Sequence, residues 1–373
     1  MASHGISRTE YHKSRNEEVK EKERKKLKDY RALVEETQQK RSSNDYTPAA
    51  LELTSKVLKI NPEFYTIWNY RRQILLHTHL AQSVNTDDAD PQDTARLVAQ
   101  LKEELGFLIP LLMAYPKCYW IWNHRLWTLQ QAGTLLKPAD ATRFWAKEMD
   151  LVGVMLTRDM RNFHGWFYRR IVVANIENPA EGGYKSMVKE EFEYTKRMVR
   201  GVGGMTNYSA WHQRGALYPR LLAEENKDEQ ERMDVLEDEL ELLQSAITTD
   251  PEDQSLWYYH RWLVSARDET SIAPKMPRGT RIALVEHELE WLKDLLGEHS
   301  DSRYILKALV LYVQLLQGLR KEPRDEDDDE NEEEVDEAAE NQQILEWLES
   351  LESLDPMRKG RYIDLGKRIR GTQ

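Results

Sequence analysis

Lys117 is the residue of this 373-residue chain whose setting best suits chemistry. It stands in Pro116-Lys117-Cys118-Tyr119, just before Trp122, at a predicted helix start. There its point charge adds to the positive end of the helix dipole, a natural place for a phosphate group. A lysine at a helix start is ordinarily solvated, so the segment alone leaves both readings open. Cys118 is the single cysteine. A thiol nucleophile needs an activating base, and no His–Asp arrangement identifies one here. It reads instead as a small, partly buried side chain. His77 and His79 form His-x-His at a helix end, but no carboxylate or cysteine joins them at a metal-ligand spacing. No metal site is expected in this chain.

Elements that position these residues come from a repeat. Five segments share one pattern: NPEFYTIWNYRRQIL, YPKCYWIWNHRLWTL, DMRNFHGWFYRRIVV, TNYSAWHQRGAL and DPEDQSLWYYHRWLV. Their anchors are Trp68, Trp122, Trp166, Trp211 and Trp257, separated by 54, 44, 45 and 46 residues. The longer first gap holds NTDDADPQDT, which reads as a loop insertion. Arg71, Arg125, Arg169 and Arg214 follow their tryptophans at i+3, and so share a helical face with them. The fifth copy departs, with His260 at i+3 and Arg261 at i+4. Between the anchors run amphipathic partner helices, such as Leu97-Leu101-Leu105-Leu108-Leu112 and Leu236-Leu240-Leu243-Ile247. Two helices per copy cannot bury their apolar faces alone, whereas stacked pairs can. The expected fold is all-α: a right-handed superhelical solenoid of antiparallel helix pairs. The tryptophans and arginines read as repeat core, the arginines satisfying carbonyls or carboxylates between repeats.

Composition agrees and excludes other classes. Glycine (17) and proline (13) are sparse, and no runs alternate Val, Ile and Thr as strands do. The net charge is −12, but eleven acidic residues lie between Asp325 and Glu337, and without them the charge is −1. A broad basic surface for nucleic acid is not expected. No stretch reaches the length of a membrane span. The N-terminus lacks the apolar core of a signal peptide, and one cysteine permits no internal disulfide. A cytoplasmic location follows as the expectation. The anticipated organisation is a charged helical segment at 1–46, the repeats at 47–320, an acidic disordered loop at 321–340 and closing helices at 341–373.

These repeats resemble those of the protein prenyltransferase alpha subunits. The segment LDPMRKGRYIDLGKRI from Leu354 resembles the end of the helical domain in the Rab geranylgeranyltransferase (type II) members, and His4-Gly5 looks like their short opening. Leucine-rich-repeat and sandwich extensions of animal members have no counterpart, which implies a compact form. The resemblance implies a heterodimer in which the alpha crescent wraps a beta subunit that carries catalytic zinc and most of the lipid pocket. It further implies transfer of geranylgeranyl from its diphosphate, bound at the subunit interface, to C-terminal cysteines of Rab GTPases presented by a Rab escort protein. Membrane insertion is not implied.

The resemblance also nominates site residues. Lys117 matches the family lysine that reaches the isoprenoid diphosphate, within Pro-Lys-x-Tyr; Tyr119 is the tyrosine of that segment. Arg161-Asn162-Phe163-His164 matches the next repeat's segment, whose Asn and His lie near the active-site mouth. Phe163 stands where the family often has tyrosine. Lys117, Tyr119 and His164 are thus the expected catalytic residues, and Asn162, Asn207 and Tyr208 the expected substrate-binding ones. His4, on a free terminus, could reach an open zinc position on the partner. Two alternatives stay open: an alpha subunit of farnesyltransferase or type I geranylgeranyltransferase, and a non-catalytic tetratricopeptide-like scaffold. Tetratricopeptide units are about 34 residues long, shorter than the spacing here.

Overall fold

The computed structural model describes residues 17–78, 80, 90–179, 183–324 and 335–371. His4, His79 and residues 325–334 of the acidic run lie outside them. Helices and turns account for the described residues, with no strand among them. The chain divides into two compact units, Met1–Lys185 and Ser186–Gln373.

The first unit opens with α1 (Glu17–Ser42) and continues with three helix hairpins. These are α2 (Pro48–Ile60) with α3 (Tyr65–Thr78), α4 (Pro91–Ala114) with α5 (Tyr119–Leu135), and α6 (Pro138–Arg158) with α7 (Phe163–Glu177). Pro48, Pro91 and Pro138 each stand in the first helical turn, where a missing N–H costs nothing. Thr47 and Asp90 cap their helices by accepting from the amides of Ala50 and Gln92.

The second unit holds α8 (Val188–Arg200) with α9 (Tyr208–Glu224), α10 (Glu229–Thr249) with α11 (Gln254–Ser265), and α12 (Arg278–Glu298) with α13 (Arg303–Arg320). It ends with α14 (Glu337–Leu354), a 3-10 turn (Pro356–Arg358) and α15 (Lys359–Gly371). Asp228 and Glu231 form a reciprocal capping box on α10. The end of the acidic run is structural: Asp336 caps α14 through the amides of Ala338 and Ala339, and Glu337 accepts from Lys321 Nζ. The hairpin α12–α13 has no anchoring tryptophan. Ile305, Leu306, Leu309 and Val313 fill its core instead.

Each tryptophan of the pattern is buried and fixes its own turn. The indole N–H of Trp68, Trp122, Trp166, Trp211 and Trp257 donates to the carbonyl six residues earlier, at 2.7–2.9 Å. A buried indole must place that hydrogen, and here it holds the chain reversal between paired helices. The arginines hold one hairpin to the next. Arg71 meets both oxygens of Glu104 at 2.7 and 2.6 Å, and Arg125 meets both of Glu148 at 2.7 and 2.6 Å. In the second unit Arg214 does the same with Glu239, at 2.6 and 2.8 Å.

Each of these carboxylates is also bonded from the helix beyond it. Glu104 pairs with His124 (2.7 Å), Glu148 accepts from Tyr168 (2.8 Å) and Glu239 from Tyr259 (2.9 Å). Those partners sit two residues after Trp122, Trp166 and Trp257. Burial works against ionising Glu104, but the Arg71 charge and the His124 and Arg71 hydrogen bonds prevail and bring its pKa down to about 2. In the fifth copy a histidine takes the arginine's place: His260 bonds Glu288 at 2.8 Å and the Tyr312 hydroxyl at 2.6 Å.

Candidate functional site

The turn at 115–118 and the turn at 159–162 are locked together through Pro116. Its carbonyl accepts from Trp122 Nε1 at 2.9 Å and from Asn162 Nδ2 at 3.0 Å. Asn162 in turn caps α7, its Oδ1 accepting from the amides of His164 (3.0 Å) and Gly165 (3.4 Å). One turn earlier, Cys118 does the corresponding job more weakly, its thiol donating to the Pro62 carbonyl at 3.5 Å. Cys118 is buried, and burial pushes its thiol up to about 11. It is therefore a protonated linker between turns, not a nucleophile.

This ladder presents three of the expected residues on one edge of the first unit. The Lys117 side chain is 72% exposed, with Nζ 3.5 Å from Asp159 Oδ2. Tyr119, the first residue of α5, is exposed and lies edge-on to His164, with ring centroids 5.9 Å apart. His164 also rests against Phe163 at 3.9 Å. Burial lowers its pKa below 6.5, opposed by a hydrogen bond with the Lys117 backbone and by the Glu63 charge. The imidazole is thus neutral at neutral pH and held by the same turn that carries Lys117. Cys118, the cap residue of α5, makes no side-chain cap hydrogen bond. A cation, a phenol, a neutral imidazole and an uncapped helix start together suit an anionic group bearing several oxygens.

The two asparagines are placed differently from the expectation of direct substrate contact. Asn162 is 2% exposed and spends its side chain on backbone groups. Asn207, in the second unit, is fully buried; its Oδ1 accepts from the Ala210 amide at 3.2 Å and its Nδ2 is buried without a partner. Both set turns. Tyr208 is exposed beside Tyr258, ring centroids 5.7 Å apart. Sequence reasoning also passed over a signal. An aromatic residue precedes each of the first four tryptophans by three positions, as Tyr65, Tyr119, Phe163 and Tyr208, and all four are exposed. In the first unit Tyr65 reaches Trp120 at 5.5 Å, and Trp120 meets Tyr119 at 5.7 Å. The edge that carries Lys117 is therefore apolar as well as basic, as partner-facing surfaces are.

The model of the protein prenyltransferase alpha subunit repeat matches residues 48–78, 101–132, 145–176 and 236–267. The geranylgeranyl transferase type-2 subunit alpha of Saccharomyces cerevisiae is 39% identical over 261 residues, 70% of this chain and 72% of that protein. Its counterpart from Schizosaccharomyces pombe is 34% identical over 374 residues, 98% of each. The chain belongs to the protein prenyltransferase alpha-subunit family.

Each matched stretch of this alpha subunit is a hairpin of the structure, or most of one. The hairpin α8–α9 is not among the four, yet Trp211 and Arg214 keep the pattern's bonds. Among solved structures, Candida albicans protein geranylgeranyltransferase-I complexed with GGPP has the same fold, with a TM-score of 0.58 at 18% identity over 92% of this chain and 91% of that one. Among the described residues no group of three or more His, Cys, Asp or Glu side chains could hold a metal ion. No helix among them is long and apolar enough to cross a membrane.

Proposed function

We propose that the chain is the alpha subunit of a heterodimeric, cytoplasmic protein geranylgeranyltransferase of type II. It pairs with a beta subunit to move geranylgeranyl from its diphosphate onto C-terminal cysteines of Rab GTPases presented by a Rab escort protein. The described residues of this chain do not fit a metal, so the zinc that would activate the acceptor thiol is assigned to the beta subunit. The observation that carries the reading is the turn 115–118: pinned by Trp122 and Asn162, it exposes Lys117 beside Tyr119 and His164.

The roles follow from charge. Departure of diphosphate concentrates negative charge on its oxygens. Lys117 supplies a positive charge there, helped by the amides that begin α5. Tyr119 offers a hydroxyl donor from the same helix start. His164, neutral and fixed to the Lys117 backbone, keeps the lysine's turn in place and can donate a hydrogen bond. Asn162 positions that turn from behind, and Asn207 sets the turn that exposes Tyr208. Asp159, 3.5 Å from Lys117 Nζ, holds the lysine until a stronger anion arrives. The exposed aromatics Tyr65, Tyr119 and Phe163 suit the beta-subunit contact.

The test is reconstitution. The chain should be inactive alone, and with a type II beta subunit and escort protein it should prenylate a Rab acceptor but not a Cys-a-a-X acceptor. Equal activity on the Cys-a-a-X acceptor would assign it to the farnesyl and type I class instead.

A further inference from the structure

An open cavity of about 400 Å³ lies wholly within the second unit, bordered by α11, α13, α14 and α15. Its floor is apolar, made by Leu311, Leu348 and Leu351. Its rim is basic. Arg261 comes from α11, Lys307 from α13, Arg358 from the 3-10 turn, and Arg361 and Arg368 from α15. No carboxylate lines it. Behind the lining, Asp355 is buried and bonds Lys307 Nζ at 2.6 Å, the Tyr362 hydroxyl at 2.8 Å and Arg358 at 3.1 Å. Those donors, led by Lys307, hold Asp355 well below the usual carboxylate range. It stays ionised and is shared by Lys307 and Arg358. Arg261 and Arg361 are exposed and make no ion pair with any described residue. Such an excess of positive charge runs against the net charge of −12.

Three of the five cations form a row along the C-terminal segment, and Arg261 and Lys307 line the cavity from α11 and α13. Within α15 Arg361, Leu365 and Arg368 follow at i, i+4 and i+7, so they share a face over about 10 Å of rise, and Arg358 precedes them in the 3-10 turn. A single phosphate or diphosphate is best held by donors converging on a few ångströms. A row of guanidiniums one to two helical turns apart, beside a leucine-lined hollow, instead matches carboxylates repeated along a polypeptide with an apolar side chain between them. We propose that this cavity docks an acidic polypeptide segment of a partner protein, which seats an apolar side chain on the leucine floor. The site is in the second unit, uses none of the residues given a role in transfer, and is independent of the proposed reaction.

The experiment uses the full chain and fluorescence anisotropy. The probe is a labelled peptide of about 12 residues repeating Glu-Glu-Leu-Glu, long enough to match the row of arginines. It should bind, and more weakly as salt is raised. A Lys-Lys-Leu-Lys peptide should not bind, and replacing the leucines by serine should weaken binding. The doubly substituted Arg261→Glu, Arg361→Glu chain should bind the acidic peptide at least about tenfold more weakly, with an unchanged melting temperature because both residues are exposed. The proposal is overturned by equal affinity in that variant, or by no peptide binding at about 1 mM, the weak limit of specific association. Binding of phosphatidylserine vesicles without binding of the peptide would overturn it too, in favour of a membrane surface.

Discussion

Replacing Glu148 by Gln tests whether the buried arginines are held by charge or only by shape. Arg125 donates to Glu148 through Nε at 2.7 Å and Nη2 at 2.6 Å, and its Nη1 donates to the Leu105 carbonyl at 2.9 Å. Tyr168 donates to the same carboxylate at 2.8 Å. All three side chains are buried. Burial alone would lower the pKa of Arg125, but the hydrogen bonds and charge of Glu148 raise it. Glutamine is almost isosteric, so little packing is lost. It removes the negative charge and points an NH2 at a donor. The guanidinium is left buried and uncompensated, which typically costs about 3–5 kcal/mol. For a compact unit of this size each kcal/mol moves the melting temperature by about 2–4 °C. Glu148→Gln should therefore melt about 10 °C lower in circular dichroism, with an unchanged helical spectrum at low temperature. The double substitution Arg125→Met, Glu148→Leu should recover most of that loss, since no charge remains to be compensated. A shift under about 2 °C in the single variant would refute the reasoning, because the pair would then be contributing no more than an exposed one.

Lys117→Ala should lower single-turnover transfer by the reconstituted heterodimer by about ten- to a thousand-fold and leave assembly unaltered, since the lysine is largely exposed; Lys117→Arg should keep part of the rate, and an unchanged rate in Lys117→Ala would return this residue to solvent. Acidification should destabilise the first unit through His124, which burial lowers from 6.5 to about 4. Its unfolded form binds the proton first, so stability is complete above pH 6.5 and is lost as pH falls toward 4. Above about pH 4.5, before Glu104 itself takes part, His124→Gln should flatten the dependence of melting temperature on pH; Gln213 already fills the equivalent place in the fourth copy. An unchanged slope would mean that other groups govern it.

The hairpins could be read from the sequence because Trp and Arg recur at fixed offsets from each turn, and those offsets survive into the bonds of the structure. Lys117, Tyr119 and His164 fall together for the same reason: each is a fixed step from an anchor. What the chain hides is burial. Glu104 sits beside Lys102 and Glu103 and reads as part of a solvated face; only the packed neighbours single it out, with Arg71 on one side and His124 on the other. Asn162 looks alike in sequence whether it faces a substrate or caps a helix, and its 2% exposure decides for the cap. Hairpin α12–α13 kept the fold without any anchor, because Ile305, Leu306, Leu309 and Val313 close its core.

The placement of the buried carboxylates has a consequence for how such a chain can change length. Glu104, Glu148 and Glu239 each receive an arginine from the hairpin before and a tyrosine or histidine from the helix after. At the front, Tyr70 has no glutamate behind it and donates to the Asp45 backbone carbonyl instead. At the back, His260 stands where arginine would be, and its other nitrogen is met by a tyrosine hydroxyl. A gene duplication that copied one whole interior hairpin would insert one cation together with one anion, and every new side chain would find the partner its original had. A duplication with breakpoints inside a hairpin would strand a charge in the core. The register of the acid and its two donors thus decides which rearrangements of this chain can fold, independently of what the exposed edge does.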